Sequence, residues 1–171
     1  MNAAVKYCIL CVILLVMQIL MTEFINIFPF LLLTVFPIFI ATLPININYT
    51  LLLFIAAGYG LSVDIFTEGV VGINAAALTA MAVALKPVTF LIVPKNLLDN
   101  VHYVMSKEVS FARLVFINMI LCFVYLTVYL LLDSIGHGMF LYNLFRFGIN
   151  FVIDVIFWVF LEYVFVRQIL K

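Results

Sequence analysis

Few side chains in this sequence are suited to chemistry, and they fall in two places. Asp64 and Glu68, four residues apart in GYGLSVDIFTEGVVGIN (58–74), have the spacing of a carboxylate pair for acid–base work or a cation site. Asn143, Arg146, Asn150 and Asp154 fall within about 80° of one another at 100° per residue, a polar stripe along one helix. Neither set has catalytic company. The sequence contains no H-E-x-x-H, no glycine-rich phosphate loop followed by Lys and no serine nucleophile elbow, so hydrolysis and phosphoryl transfer have no apparatus. Cys8 and Cys11 form a C-x-x-C pair without a neighbouring His or carboxylate, and Cys122 stands alone, which reads as apolar filler. His102 and His137 are single, solvated residues. No enzyme activity, metal or cofactor is expected.

The elements that must position these residues are membrane spans. Of 171 residues, 68% are hydrophobic and 9% charged, and the mean hydropathy is +1.36. Soluble domains carry about 25% charge and 45–50% apolar residues. The expectation is an all-α, polytopic integral membrane protein, a single domain built as a compact bundle of six transmembrane helices. A net charge of zero leaves no basic stripe for nucleic acid. The lipid bilayer is the partner that composition itself names.

Six spans are expected at about 5–22, 27–43, 49–66, 70–93, 112–132 and 139–166. The first is a retained helix, since no small-residue cleavage site follows it. Pro44, Asn46 and Asn48 separate the second from the third, and Pro37 should kink the second near its middle. The AAALTAMAVAL run of the fourth is a small-residue helix suited to the centre of a bundle. Residues 94–109 place Leu97, Leu98, Val101, Val104, Met105 and Val109 on one face, an amphipathic helix lying on the membrane surface. With six alternating spans, Lys6, Lys95, Lys107, Arg113, Arg167 and Lys171 share one side, so both termini are expected in the cytoplasm and the 58–74 hairpin outside.

That hairpin also carries a family resemblance. GLSVDIFTEGVVGINAAALTA resembles the signature region of the rod shape-determining protein MreD, in which a helix ending in Gly, a few apolar residues and Asp is followed by a short loop with two further glycines. The matching positions are Gly60, Asp64, Gly69 and Gly72, and Lys86-Pro87 is similar to the end of the next helix in some members. The match covers residues 28 to 90. It implies a non-enzymatic scaffold of the cell-elongation machinery in the bacterial inner membrane, regulating cell shape and peptidoglycan synthesis. MreC is the implied partner, and the MreB filament and the synthase RodA with its transpeptidase follow through it or directly. Asp64 and Glu68 then cap the hairpin and offer an outward acidic contact. The alternative is the substrate-binding membrane component of a small-molecule (vitamin) transporter, a class of similarly compact six-helix proteins.

The sixth span settles its own insertion. Asp154 costs about 2.5–3.5 kcal/mol at mid-bilayer, and fifteen Leu, Ile, Phe and Val residues between Met139 and Leu161 at roughly 0.3–0.6 kcal/mol each exceed that. The stripe must therefore face protein or water. It is either a substrate or proton path or an interhelical network, and the network is the expected reading. Lys86 and Asp154, at similar depths and each the other's only opposite charge there, are expected to pair; the competing arrangement has Lys86 snorkelling to the cytoplasmic surface. For residues 94–109 the test is labelling depth: cysteines placed at Leu98 and Asn100 should differ strongly in water accessibility, and equal exposure would show an irregular loop.

Overall fold

The computed structural model describes residues 3–25, 31–67, 70–94, 109–135 and 140–166. The described residues form helices α1 (Ala3–Ile25), α2 (Ile38–Thr42), α3 (Tyr49–Phe66), α4 (Ile73–Ile92), α5 (Phe111–Ser134) and α6 (Phe140–Leu161), the last continued by a π-helical turn, Glu162–Val166. Five of them, α1, α3, α4, α5 and α6, are long and apolar enough to cross a membrane. That is a multi-pass membrane architecture. The surface segment expected at 94–109 and the residues Glu68 and Gly69 lie outside the described residues, apart from the segment's ends.

Neighbouring helices run antiparallel. Asp64 near the end of α3 meets residues 72–75 at the start of α4. Asn74 of α4 meets Tyr125 in the second half of α5, and Asn118 and Asp133 of α5 meet Glu162 and Arg146 on the α6 strand of the chain. The bundle therefore has a hairpin end, where α3 and α5 finish and α4 and α6 start, and an opposite end where α3 and α5 begin.

The second expected span differs from its expectation. It is not a kinked helix: residues 31–35 form no helix and turn successive backbone groups to opposite sides, as an extended chain does, Phe36 and Pro37 turn, and only Ile38–Thr42 is helical. The physical reason lies in the residues. Thr34 and Val35 are β-branched and favour the extended backbone, and Pro37, which cannot donate within a helix, instead supplies the fixed φ of −64° at which α2 begins. The segment starts beside Asn150 and Asp154 of α6 and ends with Ile47 against Lys86 of α4. It thus runs through the bundle from the hairpin side toward the opposite end, and residues 34–43 are all buried. Phe36 packs edge-on against Tyr59 of α3 and Tyr125 of α5, with ring centroids 6.1 and 5.8 Å apart.

The α3–α4 hairpin is held by shape and by capping. A side chain on Gly60 would place its Cβ 2.4 Å from Ala75 Cα, so the two backbones touch only because position 60 is glycine. Gly72 has φ +104°, a left-handed turn that directs the chain into α4. The buried Asp64 carboxylate accepts the N–H groups of Gly72 (2.9 Å), Asn74 (3.1 Å) and Ala75 (3.3 Å), which a new helix otherwise leaves without partners. Gly60→Ala should therefore cost about 1–3 kcal/mol, as overpacking does. Gly58→Ala, whose added Cβ would meet nothing within 4 Å, should be neutral or slightly stabilising. Unfolding midpoints of the two variants in detergent check this; equal midpoints would mean that the helices do not touch at Gly60.

Candidate functional site

Gln18 of α1 and Asn150, Asp154 and Trp158 of α6 converge on the extended segment. In an extended chain the N–H and C=O of one residue point to one side and those of the next to the other. Here the side facing α6 is met by three of its residues: Leu32 N–H donates to Asn150 Oδ1 (2.8 Å), Thr34 N–H to Asp154 Oδ1 (3.1 Å), and Trp158 Nε1–H donates to the Thr34 carbonyl (2.5 Å). The Thr34 hydroxyl adds a bond to Asp154 Oδ2 (2.7 Å). The side facing α1 is met by one amide. Gln18 Nε2 donates to the Leu33 carbonyl (3.2 Å) and Gln18 Oε1 accepts the Val35 N–H (2.7 Å).

This geometry follows from helical spacing. Asn150, Asp154 and Trp158 are four residues apart, so α6 presents them in a row about 6 Å apart along its axis, close to the two-residue repeat of about 6.6 Å in an extended strand. The α6 row and the Gln18 amide stand where neighbouring strands would stand in a sheet. Asn150, Asp154 and Trp158 are fully buried, as is Thr34. Inside an apolar bundle each unmatched backbone group would cost several kcal/mol, so the four side chains are what permit a non-helical segment there.

The four-residue stripe read from the sequence accordingly divides. Asn150 and Asp154 hold the extended segment, Arg146 pairs with Asp133 at 2.9 Å, and Asn143 lines a groove between α5 and α6. The expected Lys86–Asp154 pair does not form. Asp154 is taken up by Thr34, and the Lys86 ammonium donates to the Ile47 carbonyl, 2.5 Å away, just ahead of α3. Depth along a helix took no account of the chain segment that meets each of them first: Thr34 takes Asp154, and the Ile47 carbonyl takes Lys86. Asp64 and Gly60 meet at the hairpin as described, with Gly72 at its turn. The Asp64 carboxylate is turned inward to α4 and is not offered to solvent.

Sequence reasoning missed Gln18, Thr34, Trp158 and the buried Glu162, which accepts from Asn118 Nδ2 at the start of the π-helical turn. The signals existed: Gln18 is the one amide in the first apolar run, and the single Trp lies one turn beyond Asp154. A second polar link, Tyr125 hydroxyl to Asn74 Oδ1 (2.7 Å), joins the centre of the bundle to the Asp64 cap. Among the described residues no three His, Cys, Asp or Glu side chains cluster to hold a metal ion, and Cys8, Cys11 and Cys122 are free thiols. No family model, curated protein or solved structure matches this chain.

The contacts set a test of the network. Thr34→Val and Asp154→Leu should each destabilise the fold by about 1–3 kcal/mol, and the double variant should lose much less than their sum, because they share one interaction. Lys86→Met and Asp154→Leu should instead be additive to within about 0.5 kcal/mol. The opposite pattern of couplings, measured as unfolding free energies in micelles, would restore the Lys86–Asp154 ion pair.

Proposed function

We propose that the chain is a non-enzymatic membrane scaffold similar to MreD, acting in the cell-elongation machinery of the bacterial inner membrane. The observation that carries the proposal is the α3–α4 hairpin: Gly60, Asp64 and Gly72, residues on which the resemblance rests, each have a separate physical task in one turn. A requirement for that turn gives a reason for that spacing of residue types. Taken with six crossings, the positions of the basic residues favour both termini in the cytoplasm and the hairpin outside.

The polar side chains also bear on the choice of class. A transporter component needs polar groups free to meet a substrate, whereas Asn150 and Asp154 are bonded to the chain's own backbone. A scaffold needs only faces. At the tip of the hairpin, Val70 and Val71 are 71% and 66% exposed, so the turn offers an apolar contact and Asp64 holds it in shape. MreC is the proposed partner, with MreB and RodA and its transpeptidase reached through it or directly.

The experiment is expression in a rod-shaped bacterium depleted of its own MreD, with co-purification of MreC. The proposal expects restored rod growth and recovered MreC. It expects Val70→Asp with Val71→Asp to lose MreC while the folded yield is unchanged, and Asp64→Ala to lower the folded yield itself. Round cells and no MreC despite normal insertion of the unaltered chain would overturn it.

A further inference from the structure

A groove of about 330 Å³ lies between α5 and α6 on the hairpin half of the bundle. Its lining extends along α5 from Phe123 to Ser134, eleven residues or about 16 Å. That is close to one leaflet of a hydrocarbon core about 30 Å thick. Its walls are Phe123, Leu130, Leu131, Leu144 and Phe147. The two hydroxyls along it are spent within their own helix, Thr127 donating to the Phe123 carbonyl (2.6 Å) and Ser134 to the Leu131 carbonyl (2.8 Å). The shaft is therefore apolar along its whole length.

Its girth selects the occupant. A volume of about 330 Å³ over about 16 Å gives a mean section of about 20 Å², a channel over which a helix 10 Å or more across could lie but within which it could not sit. One end is polar: Asn143, which makes no hydrogen bond to the described residues, lines the groove near the end of α5, one turn from the Arg146–Asp133 ion pair. An apolar shaft one leaflet long with a free amide at the helix ends fits an amphiphile. We propose that the groove holds one acyl chain of a membrane phospholipid, with the Asn143 amide donating to its glycerol ester carbonyl. Such a lipid would fill the space between α5 and α6 and act as an integral part of that half of the bundle.

The test uses the full chain in vesicles of phosphatidylethanolamine and phosphatidylglycerol, doped with a phospholipid carrying a photoactivated diazirine on one acyl chain. Peptides spanning 123–147 should be labelled far above the peptide around Leu91, which at 84% is more exposed than Phe123 (52%), Leu131 (61%) or Leu144 (57%). Thr127→Trp, which fills the shaft, should lower that labelling about tenfold, the effect of ~1.4 kcal/mol of lost contact. Leu91→Trp should leave it unchanged. Should Thr127→Trp fail to insert, Ser134→Phe closes the groove at its polar end, and the enrichment in the unaltered chain is decisive either way. Labelling spread evenly over all exposed faces overturns the proposal. So does a benzophenone at Leu131 that links in native membranes to another polypeptide and not to lipid, which would assign the groove to a partner helix.

Discussion

A backbone amide that leaves its helix inside an apolar bundle has to find another partner, and the rest of this structure depends on how residues 32–35 do so. Gln18 on one side and Asn150, Asp154 and Trp158 on the other replace the neighbouring strands that an extended segment would have in a sheet. Hydrogen bonds of this kind add about 0.5–1.5 kcal/mol each when made, but a buried group left without one costs about 1–3 kcal/mol. The asymmetry matters more than the gain. Removing one side chain does not merely loosen the contact; it leaves a polar group in an apolar interior, so the segment and the two helices that grip it stand or fall together.

The same bonds explain why helices far apart in sequence come to one place. α1 packs mainly against α2 and α3 among the described helices, and Val5, Ile9, Val12, Val16 and Leu20 form an exposed stripe along it. Its polar attachments are Gln18 to the extended segment and the Cys11 carbonyl, which accepts from the Tyr59 hydroxyl at 3.3 Å. α6 reaches the centre of the bundle through Asp154 and Trp158 in the same way. Within this frame the α3–α4 hairpin is a separate unit with its own logic, in which close backbone approach at Gly60 and the Asp64 cap replace the long-range polar grip. The Tyr125–Asn74 bond links the two.

Much of this was legible in the sequence, and the reasons for the rest are physical. Five helices fall where apolar runs of sufficient length predict them, because length and apolarity are all that a span requires. Gly60, Asp64 and Gly72 stood out because a turn between two apolar helices needs small residues and a capping group. Asn150 and Asp154 were visible as a stripe, and the interhelical network was the reading expected of it. Their partner was not visible: the stripe bonds to backbone groups of residues 32 and 34, and backbone groups carry no sequence signal. The run LLLTVFP looked like a helix with a kink because apolar periodicity does not separate a buried extended segment from a buried helix. Three prolines between residues 29 and 44 were the available warning.

The central claim is that residues 32–35 cross the interior as an extended chain held by side chains of α1 and α6. Solid-state NMR of the chain in bilayers, with 13C-labelled Thr34 and Val35, reads this directly through the secondary chemical shifts of their α-carbons. The account predicts upfield, strand-like α-carbon shifts at both residues, with through-space cross-peaks from Thr34 to Asp154 and from Val35 to Gln18. Downfield, helix-like shifts at Thr34 and Val35 would contradict it and restore a sixth continuous transmembrane helix.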